Sequence, residues 1–213
     1  MISKLIGVFG GTFDPVHNGH TKIIQNLLEL LPFDEIKVIP NGQPPHRTSV
    51  CSNNDRLEMV NLAFKGINQI SVDEREIHRE GPSYAIHTAR EILEEYHQDN
   101  IIWIMGSDAF SEIDTWFEWE DFLNIINILV MARPGSEIDS TSMAGTLILE
   151  RQTSNIDDLS YGAGKILIVD IDPINISSTQ VRSNLAAGET VNELILEDVS
   201  DYIDSGKLYT KHS

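Results

Sequence analysis

Apolar and polar positions follow two rhythms along the chain: short apolar runs, and longer stripes at helical spacing. Leu5 to Phe9 is an apolar run that reads as a buried strand over 4–9 and breaks at Gly10-Gly11. Ile23, Ile24, Leu27, Leu28 and Leu31 recur at helical spacing and predict a helix over 18–31, ended by Pro32. A second short strand over 36–39 closes at Pro40-Asn41-Gly42. Leu57, Val60, Ala63 and Phe64 share one face of a helix opened by Asn54-Asp55. Residues 70–77 read as a partly alternating strand. Ala85, Ile86, Ala89, Ile92 and Leu93 predict a helix from Ser83, as N-cap, to about Tyr96. An uninterrupted apolar strand follows at 101–105, another strand at 125–131, and the last core strand at 165–169. Residues 136–163 carry little periodicity and predict excursions with one short helix. A helix begins within Ser177-Ser178-Thr179 and continues through Val181, Leu185 and Ala186. Weaker helical patterns follow at 191–196 and 199–203.

Short strands alternating with helices predict an α/β protein, a mostly parallel sheet with helices on both faces. Its 213 residues predict a single domain over 1–213, with a C-terminal helical part from about 176. There is no repeat, linker or low-complexity tract. The net charge of −18 disfavours nucleic acid as a partner, because such binders present a basic face. No apolar run is long enough to cross a bilayer, and no signal-peptide pattern is present. The single cysteine, Cys51, excludes an internal disulfide and a cysteine zinc cluster. These features predict a cytoplasmic protein.

The candidate chemistry lies after the strands. Gly7-Val8-Phe9-Gly10-Gly11-Thr12-Phe13-Asp14-Pro15-Val16-His17-Asn18-Gly19-His20 leads from a strand through a glycine turn into a helix. Glycines admit close approach of a ligand to the backbone, and a helix N-terminus attracts phosphate. His17 and His20, three apart, can both donate hydrogen bonds to phosphate oxygens. The turn has neither the dinucleotide-fingerprint spacing nor the Lys-Ser/Thr pair of a Walker loop. Read from the glycines alone, it could equally be a tight turn with two surface histidines. In so acidic a chain, a site for phosphorylated substrates must gather its cations locally, which draws attention to Arg47, Arg133 and Arg182. The turns at 10–13, 44–47 and 106–108, with Arg133 and the helix start at 177–182, should gather at one edge of the sheet.

The 7–20 string resembles the G-x-F-D-P-x-H-x-G-H signature of the HxGH nucleotidyltransferase superfamily. The later features, in order and rough spacing, resemble the nicotinate-nucleotide adenylyltransferase family. They are Ile39-Pro40-Asn41 with Pro44-Pro45-His46-Arg47, Pro82-Ser83-Tyr84 with Thr88, Gly106-Ser107-Asp108, Thr115-Trp116, Arg133-Pro134-Gly135 and Ile176-Ser177-Ser178-Thr179-x-x-Arg182. Two positions depart: Ala85 stands where the family often has Thr, and Ala132 where a second basic residue is common beside the arginine.

The resemblance implies a Rossmann-like, doubly wound fold and adenylyl transfer from ATP to nicotinate mononucleotide. It implies His17, His20 and Arg182 as catalytic residues. ATP would be bound by Gly10, Gly11, Thr12, Phe13, His17, Gly19, His20, Gly106, Asp108, Ser178 and Arg182. Nicotinate mononucleotide would be bound by Asn41, His46, Arg47, Ser83, Tyr84, Thr88, Trp116 and Arg133. Mg2+ would bridge the ATP phosphates with no dedicated protein ligands. Two other readings stay open: transfer to phosphopantetheine or a phospho-alcohol within the same superfamily, and a nucleotide-binding regulatory module without turnover.

Overall fold

The computed structural model describes residues 3–45, 49–132, 138–172 and 174–210. The strands are β1 (Leu5–Gly11), β2 (Glu35–Pro40), β3 (Ile70–Val72), β4 (Asn100–Gly106), β5 (Asn127–Ala132), β6 (Gln152–Thr153) and β7 (Ile166–Asp170). They hydrogen-bond in the order β3-β2-β1-β4-β5-β7-β6, a seven-stranded sheet. The β1–β4, β4–β5, β5–β7 and β6–β7 pairings are parallel. The helices are α1 (Asn18–Leu30), α2 (Asn53–Phe64), α3 (Arg75–His78), α4 (Ala85–Glu95), α5 (Ser107–Ser111), α6 (Trp119–Ile125), α7 (Met143–Arg151), α8 (Ser178–Ala187) and α9 (Glu197–Gly206). This is the α/β, Rossmann-like architecture the alternation predicts. Among the described residues no helix is long and apolar enough to cross a membrane.

The chain divides into two compact units that alternate along the sequence. One comprises Met1–Gly10, Pro32–Lys37 and Tyr84–Pro173, the other Gly11–Leu31, Val38–Ser83 and Ile174–Ser213. The core of the first is built on strand residues buried on both faces, among them Ile6, Val8, Ile102, Ile104, Ile128 and Val130. Continuous apolar runs are what a covered parallel sheet requires. Ile86, Ala89 and Ile92 of α4 and Phe122 of α6 are buried with them. The second unit buries Ile24 and Leu27 of α1, Met59 and Val60 of α2, Val181 of α8 and Val199 and Ile203 of α9.

Four local expectations are corrected. The strand expected over 70–77 stops at Val72, because Asp73 turns the chain: its carboxylate accepts from the Arg75 backbone (3.1 Å) and guanidinium, and α3 follows. Ser83 does not cap α4; Tyr84 is the N-cap, and the Ser83 hydroxyl is used elsewhere. The helix expected at 191–196 is a single turn, closed by Leu194 N–H on the Val191 carbonyl (2.7 Å). Within 136–163 lie α7, the short edge strand β6 and a 3-10 turn over Ile156–Ser160. The turn is held by buried Asn127, whose amide donates to the Leu159 and Gly162 carbonyls (both 2.9 Å).

Candidate active site

The segment from Gly11 through both histidines falls in the second unit. Phe13 takes a left-handed φ of 48° and is buried, so the turn is held by an aromatic anchor as well as by glycine. His17 is extended and forms the N-cap of α1. Its backbone N–H donates to His20 Nδ1 at 3.2 Å. That bond makes Nδ1 the acceptor and leaves the proton of the neutral ring on Nε2. The two rings stack at 3.7 Å, 22° from parallel, and the edge of Phe13 meets His20 at 5.0 Å. Burial lowers the His17 pKa to about 4. Burial, and then the charge of a protonated His17, holds His20 well below the usual histidine value. Both rings are therefore neutral hydrogen-bonding groups near neutral pH.

Gly19 has a simple steric reason. A Cβ there would lie 2.8 Å from His17 Nδ1 and 2.9 Å from Cε1. The glycine makes room for the first histidine ring beside the helix. Asn18 N–H donates to the Leu194 carbonyl (2.8 Å) and its amide to the Glu193 carbonyl (3.0 Å), so the 191–196 turn seats the start of α1.

The start of α8 is bonded to the same turn. Ser177 caps the helix, accepting from Gln180 N–H at 3.2 Å. Ser178 Oγ donates to the Pro15 carbonyl (2.9 Å), and Arg182 Nη1 to the Asp14 carbonyl (2.6 Å). The residues expected to meet ATP phosphates at 11–20 and at 178–182 are thus connected by hydrogen bonds across more than 160 positions of sequence.

Two residues that sequence reasoning missed organise this region. Asp14 is buried, and its carboxylate accepts from Val50 N–H (2.6 Å), Cys51 N–H (3.3 Å) and the Tyr209 hydroxyl (2.7 Å). Arg56 is 0% exposed. Its guanidinium donates to the carbonyls of Thr12 (2.6 Å), Asn41 (2.6 Å) and Gly42 (3.3 Å) and to Asn53 Oδ1 (2.7 Å). Burial pulls its pKa down, and the Asp14 charge opposes that. The available signal was its position: Arg56 precedes Met59, Val60 and Ala63 at helical spacing, a lone charge in an apolar stripe.

The Asn41 turn is built by the same unit. Asn41 N–H donates to the Gly11 carbonyl (2.9 Å) and its amide to the buried Glu76 (2.9 Å). Ser83 Oγ accepts from Gly42 N–H (2.9 Å) and Gln43 N–H (3.1 Å), which ties residues 42–43 down. His46, Arg47 and Arg133 lie outside the described residues.

The remaining candidates belong to the first unit. Gly10 ends its share of β1, and Gly106 ends β4 with open space where a Cβ would stand. Asp108 is exposed in the first turn of α5. Tyr84 stacks on the half-exposed Phe117 at 4.4 Å. Trp116 is partly exposed and lies tilted against Phe122 at 5.8 Å. Thr88 is fully buried in α4. Among the described residues no group of three or more His, Cys, Asp or Glu could hold a metal ion.

A family model described as cytidylyltransferase-like matches residues 8–184. A Pseudomonas putida (strain GB-1) protein named "Probable nicotinate-nucleotide adenylyltransferase" is 39% identical over 208 residues, covering 97% of this chain and 95% of the relative. A Pseudomonas aeruginosa (strain UCBPP-PA14) protein of the same name is 37% identical over 210 residues, covering 98% of each. Among solved structures, Plasmodium falciparum nicotinic acid mononucleotide adenylyltransferase complexed with NaAD superposes with a TM-score of 0.73 at 18% identity, over 97% of each chain. The same protein complexed with APC gives 0.70 at 20% identity, over 97% of each chain. At these identities the two structures speak for the fold.

Proposed function

The chain belongs to the nicotinate-nucleotide adenylyltransferase family, within the cytidylyltransferase-like group, and on that premise we propose that it joins ATP and nicotinate mononucleotide. The products are nicotinate adenine dinucleotide and pyrophosphate. An oxygen of the mononucleotide phosphate attacks the α-phosphorus of ATP, and the bond from that phosphorus to the α,β-bridging oxygen breaks in line. A phosphate monoester loses its second proton at about pH 6, so the nucleophile is already anionic and no general base is needed. The protein aligns two polyanions and stabilises charge on the bridging oxygen.

The observation that carries this reading is the neutral histidine pair bonded into the turn that also holds Arg182. With Nδ1 of His20 occupied by the His17 N–H, its Nε2 proton is the one presented as a donor. A neutral donor set accepts a polyanion without first losing a hydration shell around its own charge. Arg182 and Ser178 supply the charge and the hydroxyl for the departing pyrophosphate. Asp108 serves the adenosine, and Trp116 and Tyr84 offer aromatic faces to the pyridine ring. Asn41, His46, Arg47 and Arg133 belong to the mononucleotide side, with Ser83 shaping it through the Gly42 and Gln43 N–H groups and Thr88 supporting it from within α4. Mg2+ would arrive on the ATP phosphates and supply charge neutralisation there. A single domain working in the cytoplasm completes the reading.

The test is pyrophosphate release from ATP and Mg2+ with nicotinate mononucleotide, nicotinamide mononucleotide and phosphopantetheine in parallel. A carboxylate substrate makes a charge-assisted hydrogen bond that an amide lacks, so nicotinate mononucleotide is preferred by roughly tenfold to a hundredfold. Equal use of the two mononucleotides removes the substrate assignment. Release only with phosphopantetheine keeps the chemistry and changes the acceptor.

A further inference from the structure

Tyr209 follows α9 and takes a left-handed φ of 60°, two residues after Lys207 does the same at 52°. A bulky residue holds that conformation only where its surroundings require it. Tyr209 is 4% exposed, and its hydroxyl donates to Asp14 Oδ1 at 2.7 Å, a bond spanning 195 positions. Burial first, then the Cys51 thiol and the Asp14 carboxylate, push the phenol pKa upward and keep the hydroxyl a donor. Asp14 faces two ways. Its carboxylate gathers Tyr209, Val50 and Cys51, while its carbonyl takes Arg182 and the next carbonyl takes Ser178. Val50 and Cys51 hold the carboxylate from the backbone, and the Tyr209 hydroxyl adds a third direction that limits rotation of the residue whose carbonyl takes Arg182 and whose neighbour's carbonyl takes Ser178.

We propose that Tyr209 is a positioning residue for the pyrophosphate side of the reaction, setting through Asp14 where Arg182 and Ser178 stand. This rests on the proposed adenylyl transfer for its kinetic meaning, but the geometric coupling it asserts does not. Tyr202 is the internal control. It sits in α9 and donates to Asp55 Oδ1 at 3.0 Å, anchoring the same helix without touching Asp14.

The experiment compares Tyr209→Phe, Tyr202→Phe, Arg182→Lys and the Tyr209→Phe/Arg182→Lys double variant. Activity is expressed per folded molecule, with folding followed by thermal unfolding. Losing one positioning hydrogen bond should lower kcat by about fivefold in Tyr209→Phe and leave the KM for nicotinate mononucleotide unchanged. In the Arg182→Lys background the same change should cost less than about twofold, because coupled residues are not additive. Tyr202→Phe should lower stability without lowering kcat. Pyrophosphate binding by calorimetry should weaken by about fivefold in Tyr209→Phe, with no turnover involved. Additive effects, an equal kcat loss in Tyr202→Phe, or activity lost only in step with the folded fraction would overturn the proposal. If wild-type protein fails to use nicotinate mononucleotide, the proposed function falls. The pyrophosphate titration then decides alone, and equal affinity in wild type and Tyr209→Phe overturns the coupling.

Discussion

Acidification should destabilise this protein through His17, and by an amount that can be worked out. The folded-state pKa is about 4, against 6.5 for a free side chain, because burial disfavours the charged ring. Between those values the unfolded chain binds a proton that the folded chain does not, so stability rises with pH there and falls as pH drops. Above 6.5 the effect vanishes, and below about 4 it is complete. At about pH 5 the gap is about 1.5 units, which at about 1.36 kcal/mol per unit makes about 2 kcal/mol lost relative to about pH 7.5. His20 is shifted in the same direction and adds to the loss. The assay is equilibrium urea unfolding at the two pH values for wild type and His17→Gln, whose amide does not titrate. The wild type should lose about 2 kcal/mol more than the variant on acidification. Proton NMR should show the His17 and His20 rings still neutral at about pH 6. Saturating pyrophosphate should raise both pKa values, since a nearby anion favours the charged ring. Identical pH dependence in wild type and variant, or a normal titration of every histidine, would refute the reasoning.

Arg56→Met removes a buried guanidinium from three carbonyls and an amide oxygen, and leaves Asp14 without its compensating charge. It should cost about 3–5 kcal/mol in urea unfolding. Gly19→Ala should lower stability by about 1–3 kcal/mol, because its Cβ overpacks the buried His17 ring, and turnover should fall by at least about tenfold as that ring is displaced. A variant with full activity would show that the ring position does not matter. Ser83→Ala leaves the Gly42 and Gln43 N–H groups without their acceptor and should cost about 1–3 kcal/mol. A loss of activity with unchanged stability would instead make its hydroxyl a substrate ligand.

The strands, the main helices and the helix starts of α1 and α8 are legible in the sequence because local signals carry them. Apolar runs mark β1, β4 and β5, and the spacing of His17, Gly19 and His20 and the Ser177–Arg182 helix start mark the two segments proposed to meet phosphate. What the sequence hides is which distant groups those signals are tied to. Ser83 has the residue type of an N-cap, yet its hydroxyl serves N–H groups some 40 positions earlier. Asp73 reads as part of a strand until its carboxylate is seen bonding Arg75. Arg56 and Tyr209 act through partners 44 and 195 positions away, and no local periodicity encodes such contacts. Trp116 and Tyr84 read as aromatic residues near turns, and only the structure shows Tyr84 stacked on Phe117 rather than alone.

The most direct test of the central claim follows the label from ATP. Protein, Mg2+ and nicotinate mononucleotide are incubated with ATP labelled either at the α- or at the γ-phosphorus. Adenylyl transfer places the α-label in the dinucleotide and the γ-label in pyrophosphate, and Arg182→Ala should suppress both together. Appearance of the γ-label in the mononucleotide product, or retention of both labels in bound ATP with no dinucleotide formed, would contradict the account.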